Sequence, residues 1–198
     1  MKVVAIGILR YNRDTAEPVL LSQATELSSF GFFQRQGIKE MCTFFSKTIT
    51  KRTQPGQRQS VQHEEYNVHV YVRHDGLGGT VTCDMEYPPR VAFVLLTQLL
   101  DQFAAEVRWK TEIRNESITF PPLDKAIIEY QDPAKADKIT KIQRDLDETT
   151  NVLHSTIDQV LERGVKLDEL VDRSDDLSRQ SKMFYKTARQ TNSCCVVS

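Results

Sequence analysis

With 198 residues the chain has room for one compact domain of roughly 100–150 residues plus a substantial appendage. Its 26 basic and 27 acidic residues nearly cancel, which excludes the broad basic field that a nucleic-acid backbone requires. The longest uncharged apolar stretch, residues 91–100, falls well short of the ~20 residues that span a bilayer, and no charged leader precedes an apolar core at the N-terminus. Neither a transmembrane helix nor a signal peptide is therefore expected. Cysteines 42, 83, 194 and 195 have no zinc or CxxC spacing, so a reducing cytosol without a disulfide framework is the expected setting.

The hydrophobic period switches repeatedly over residues 1–131, as it does in a mixed α+β domain. A β-rich run at residues 2–9 and a second at 19–21, separated by the turn formers Asn12, Asp14 and Pro18, predict a hairpin with a long loop. Ser28 or Ser29 can cap a following helix on which Phe33, Ile38, Met41, Phe44, Phe45 and Ile49 lie mostly at helical spacing, and Pro55-Gly56 ends it. The alternating residues 66–72, the turn His74-Asp75-Gly76 and the run 80–85 predict a second group of strands. Residues 76–79, rich in glycine, lack the GxxxxGK[ST] spacing that cradles phosphate and read as a loop. After Pro88-Pro89, residues 91–107 form a strongly apolar helix, and Pro121-Pro122 opens one more short helix. Residues 109–120 favour no element. The expected order is ββα, βββ, αα.

Asp132-Pro133 marks a boundary, because the residue before a proline is steered away from helix. Residues 132–137 form a linker on this reading, and 138–193 follow a different pattern. One seam there runs at alternating steps of three and four through Ile139, Ile142, Leu146, Thr149, Leu153, Thr156, Val160, Arg163, Leu167, Leu170, Ser174, Leu177, Ser181, Phe184, Ala188 and Thr191. Such a register calls for partner helices and a left-handed supercoil. The small polar seam members would leave a lone helix with little to hold it, so the isolated arm is expected to be partly disordered or folded back. Arg163 stands mid-seam, where an unpaired buried guanidinium would cost several kcal/mol, so partner helices must supply acceptors.

Residues 160–170, Val-Leu-Glu-Arg-Gly-Val-Lys-Leu-Asp-Glu-Leu, with Leu146-Asp147-Glu148-Thr149 upstream, resemble the central segment of R-SNARE proteins. The resemblance implies that Arg163 faces one glutamine from each of three partner helices in a parallel four-helix bundle that forces membranes together. It also implies disassembly by the SNARE disassembly machinery. The order of elements over 1–131, with Arg58-Gln59-Ser60-Val61 and residues 87–93, is similar to the profilin-like longin domain of one R-SNARE branch: an antiparallel sheet flanked by helices. Residues 194–198, Cys-Cys-Val-Val-Ser, place Cys195 in a C-a-a-X prenylation pattern whose terminal serine favours farnesyl. Cys194 is a candidate for palmitoyl or a second prenyl group, and two lipids are needed for stable attachment. Arg179, Lys182, Lys186 and Arg189 add positive charge near the membrane.

The whole layout resembles the YKT-type prenylated longin SNAREs, which implies work at the cytoplasmic face of Golgi, vesicle, endosomal or vacuolar membranes, ER-to-Golgi transport included, with a cytosolic pool. Phe32, Phe33, Phe44 and Phe45 read first as core residues, although a helix so rich in phenylalanine also offers an apolar groove. In the resembling family the domain folds back on the arm and shelters the lipid, and Phe44 matches the position implicated in closure. Two other readings compete: a coiled-coil tether without fusion activity, and a prenylated small GTPase, which would need a phosphate loop. His63, His69, His74 and His154 lack the converging carboxylates or cysteines of a metal or general-base site, and no nucleophile–base–acid set emerges. No enzyme, metal or cofactor is expected.

Overall fold

The structure is a computed structural model that describes residues 2–11, 17–132, 152–161 and 164–193, with the backbone alone for 190–193. Eight elements build the N-terminal domain: β1 (Val3–Arg10), β2 (Val19–Thr25), α1 (Arg35–Lys51), β3 (Arg58–His63), β4 (Tyr66–Val72), β5 (Leu77–Asp84), α2 (Pro89–Glu106) and α3 (Pro121–Glu129). The arm contributes β6 (Val152–Thr156), α4 (Ile157–Val160), α5 (Leu167–Arg173) and α6 (Arg179–Ser193). The order ββα, βββ, αα expected for the domain is the one observed.

The strands form one sheet in the order β2-β1-β5-β4-β3-β6. The first five pair antiparallel, while β6 lies parallel to β3, with Arg58 opposite Val152 and Gln62 opposite Thr156. β1 and β5 are central and are buried along nearly their whole length, because helices cover both faces there. On one face α2, through Leu95, Leu96, Leu100 and Phe103, and α3, through Leu123 and Ile127, share a core with Ile6, Ile8, Leu21 and Val81. On the other, α1 packs through Phe45 and Ile49 onto Val61, Val68, Val70 and Val72. Ser46 and Thr80, both buried, satisfy each other across this second interface at 2.9 Å.

Three sequence expectations need correction. The glycine-rich stretch expected as a loop lies largely inside β5, where a Cβ on Gly79 would stand 2.9 Å from the Leu96 side chain; its absence lets α2 close on the sheet. The first helix starts at Arg35 rather than after Ser28 or Ser29, and Gln34 precedes it without a side-chain cap. Residues 27–34 are instead spent in short turns, Phe30 N–H to Leu27 O and Gln34 N–H to Gly31 O, while the Arg35 guanidinium takes the carbonyls of Ser28 and Phe30. Phe33 therefore stands 87% exposed and Phe32 79%, where core positions were expected.

The third correction concerns the arm. The seam predicts one long helix over 138–193, but the described part is broken into a strand and three helices that wrap the domain. A capping box between Thr156 and Gln159 starts α4, and Gly164, at φ +90°, carries the chain through a turn that L side chains rarely adopt. Without partner helices the apolar side chains of the arm find their burial on α1 and β3 instead. The undecided segment 109–120 is irregular yet anchored: the Glu116 and Ile118 backbone N–H groups donate to the Leu20 and Leu21 carbonyls, Trp109 is buried, and Phe120 meets Phe103 edge-on at 5.0 Å. Gln131 then ties the end of the domain to β1 by exchanging two hydrogen bonds with the Val3 backbone, at 3.2 and 2.7 Å.

Candidate functional site: the face that holds the arm

Helix α1 has two apolar faces, one on the sheet and one turned outward, and the arm covers the outward one. Phe44 (5% exposed) and Phe45 share a cluster with Ile157, Leu161, Leu167, Val171, Leu177 and Tyr185 from the arm, with Val160 and Leu170 at its border. Burying each such side chain is worth about 1.5–3 kcal/mol before the cost of ordering the chain. Phe44 and Phe45 meet edge-on at 5.4 Å, and the His63 ring lies between Phe45 (4.7 Å) and Tyr185 (6.3 Å). Burial holds the His63 pKa below its ordinary value, opposed by Glu64 and Asp158 and aided by Arg189.

Polar contacts frame the apolar patch. The Glu40 carboxylate accepts from the Ser178 backbone N–H at 2.8 Å and from Ser181 Oγ at 2.6 Å, binding the first turn of α6 to α1. Lys47 pairs with Asp176 in the preceding turn, and Gln59 Nε2 donates to Ser155 Oγ at 2.9 Å beside β6. Partial burial alone would raise the Glu40 pKa, but the bonds from Ser181, Ser178 and Gln36 outweigh it and hold the group at about 2, against 4.5 unperturbed. A depressed carboxyl pKa contributes stability that is present above the unfolded value and is lost as pH falls toward the folded one. Docking of α6 is thus expected to weaken progressively below pH 4.5, and Glu40→Gln to weaken it at neutral pH by about 1–2 kcal/mol. Hydrogen exchange of the α6 amides measures both effects; protection unchanged by the substitution would remove Glu40 from the clamp.

The predicted residues are distributed as follows. Leu167 and Leu177 are buried against the Phe44 cluster, Val160, Leu170 and Phe184 are half-buried, and Leu153 on β6 stands 49% exposed. Phe184 lines, with Ile38, Met41, Phe45, Tyr185 and Ala188, an apolar cavity of about 310 Å³ between α1, the sheet and α6. Ile139, Ile142, Leu146, Arg163, Cys194 and Cys195 lie outside the described residues. Three of the cations read as membrane-facing bond to the arm itself: Lys182 to the Asp172 carbonyl, Lys186 to the Asp172 carboxylate and Arg189 to Asp168. Sequence reasoning missed Ile157, Leu161, Val171 and Tyr185, which lie off the seam. The available signal was their apolar character at positions the seam does not need. It also missed Glu40 and Lys47, for which the sequence carried no signal.

Residues 27–127 match the Longin family, a regulated-SNARE-like domain, and residues 138–196 match the Synaptobrevin family. Over the full length of both chains the sequence is 50% identical to the synaptobrevin homolog ykt6 of Schizosaccharomyces pombe and 49% identical to the VAMP-like protein YKT61 of Arabidopsis thaliana. It is 45% identical to the synaptobrevin homolog YKT6 of Saccharomyces cerevisiae on the same terms. The chain belongs to the Ykt6 synaptobrevin family. It is a longin-domain R-SNARE that acts in vesicle fusion, and its arm is the segment that joins partner SNARE helices. The family is one of SNARE proteins rather than enzymes, and it serves vesicle traffic at membranes. Among the described residues no helix is long and apolar enough to cross a membrane.

Proposed function

We propose that this R-SNARE is held to membranes by lipid on Cys195 and Cys194, and that the docked arm is its fusion-silent form. The observation that carries the reading is the sharing of Leu167 and Leu177. Both belong to the seam, and both are buried here against the cluster that holds Phe44 and Phe45. A layer residue buried on α1 is unavailable to a bundle, so docking and zippering compete for the same side chains. Once released, the arm pairs with three glutamine-type SNARE helices, Arg163 sets their register, and zippering proceeds toward the tail. The bundle is later returned by SNARE disassembly machinery. The domain is taken as 1–131, the linker as 132–137, the SNARE motif as 138–193 and the lipidation tail as 194–198.

The apolar cavity beside Phe184 offers a place to shelter a prenyl chain while the arm is docked. The remaining cysteines suit that scheme: Cys42 and Cys83 are buried, and burial pushes the Cys42 thiol up to about 12 and Cys83 higher, so neither offers a thiolate at neutral pH. Reversible acylation of Cys194 then decides residence on Golgi, vesicle, endosomal or vacuolar membranes against a cytosolic pool.

One experiment tests anchor and zipper together. The farnesylated chain and its Cys195→Ser variant are mixed with three glutamine-type SNARE helices and with vesicles that carry them. Both proteins are expected to form a detergent-resistant four-helix bundle, while lipid mixing by the variant falls to the level of vesicles without the chain. Failure of either protein to form the bundle would sink the fusion mechanism, and undiminished lipid mixing by the variant would sink the anchor.

A further inference from the structure

The two most exposed large apolar side chains of the described structure stand side by side. Phe32 and Phe33, 79% and 87% exposed, meet edge-on at 5.5 Å on the turn between β2 and α1. Residues 28–34, Ser-Ser-Phe-Gly-Phe-Phe-Gln, carry no charge over the whole turn. Ile128, 69% exposed, belongs to the same end of the domain: with Ser28, Ser29 and Phe30 it lines one shallow cavity, which Lys2 also borders. Beside this tip Glu26 interacts with both Lys2 and Arg35. The described part of the docked arm leaves both rings exposed.

We propose that the Phe32–Phe33 turn is a membrane-insertion tip whose rings seat in the headgroup and acyl boundary of a phospholipid bilayer. The shape favours lipid over a protein partner. Two cavities border the turn at Phe30, but neither is lined by Phe32 or Phe33, and exposed aromatic side chains with an apolar flank suit the bilayer boundary. Position favours it too, in an argument that rests on the lipid-anchor reading above. Helix α6 passes over the start of α1, where a Cβ on Gly37 would stand 3.8 Å from the Phe184 ring, four residues from Phe33. Ser193 follows Phe184 by nine residues, about 14 Å of helix. The lipid-bearing segment thus follows a helix that passes the start of α1, four residues from the aromatic pair. A single lipid chain gives only marginal, reversible binding, and two buried rings supply the second attachment that one chain lacks.

The test uses the full chain, with and without its lipid, and vesicles of phosphatidylcholine with or without one-fifth phosphatidylserine. Phe33→Trp serves as the reporter, because the native Trp109 is 4% exposed and gives a constant background. The reporter is expected to shift to the blue and to be quenched by brominated phosphatidylcholine. Phe32→Ser combined with Phe33→Ser is expected to lower the vesicle partition coefficient at least about tenfold, with or without phosphatidylserine and with little dependence on salt. Both rings are exposed, so thermal unfolding of the double variant stays as in the parent. An unquenched reporter would overturn the proposal, as would binding that salt abolishes and the double substitution leaves untouched. A concentration-dependent dimer that the double substitution dissolves, without quenching, would overturn it in favour of a second copy of the chain. Because the unlipidated chain reads the aromatic pair alone, failure of the tail to accept lipid leaves the test decisive.

Discussion

Val171→Asp is expected to release the docked arm while sparing the bundle, and Leu170→Asp is expected to do the reverse. The two residues are neighbours on α5 but face different tasks. Val171 is 0% exposed within the Phe44 cluster and lies off the heptad seam, whereas Leu170 lies on the seam and only borders that cluster. Putting a carboxylate at position 171 forfeits about 1.5–3 kcal/mol of burial and adds a desolvation cost of similar size. A loss of ~3 kcal/mol shifts the ratio of docked to free arm more than a hundredfold. The same carboxylate at position 170 disrupts a seam layer and costs the docked state less. Hydrogen exchange over residues 152–193 reads the first effect, and the yield of detergent-resistant bundle with three glutamine-type helices reads the second. If both substitutions lowered both readouts alike, docking and zippering would not use separable faces.

That separation also explains what the sequence could and could not show. The domain was legible because its strands and helices answer to one core: continuous apolar runs became β1 and α2, and the alternating residues 66–72 became β4. Local signals failed where a tertiary contact decided the outcome. Gly79 read as loop because its lack of a side chain makes sense only with Leu96 against it. Phe33 read as a helix position because turn bonds and the Arg35 guanidinium, which hold residues 27–34 out of the helix, are invisible to periodicity.

The arm is a different case. Its heptad pattern records packing against partner helices, and a sequence under that constraint shows the bundle rather than the docked form. The weak seam left a lone arm either partly disordered or folded back, and the described part is folded back. What it could not give was the path, since that depends on Gly164 at positive φ, on the free edge of β3 and on Glu40 meeting Ser178 and Ser181 across 138 and 141 positions of chain. The off-seam residues Ile157, Leu161, Val171 and Tyr185 are the imprint of this second structure on the sequence.

Phe44→Glu attacks the same interface from the domain side, and its effect is expected to be the largest of any single change on α1. Phe44 is 5% exposed, packs edge-on against Phe45, and shares its cluster with Leu167, Val171 and Leu177 of the arm. Truncating a buried phenylalanine costs about 3–5 kcal/mol, and an unpaired carboxylate in that position adds to the loss. With the arm released the new carboxylate is solvated on the outward face of α1, so the penalty falls on the docked state and the sheet beneath keeps its stability. The arm amides are therefore expected to lose protection while those of β1 and β5 retain it, and proteolysis is expected to cut first within residues 152–193. Loss of docking also uncovers the lipid that the cavity beside Phe184 is proposed to shelter, so the lipidated variant is expected to move from the soluble to the membrane fraction. A variant that stayed soluble with an arm as resistant to protease as before would show that Phe44 does not close the molecule.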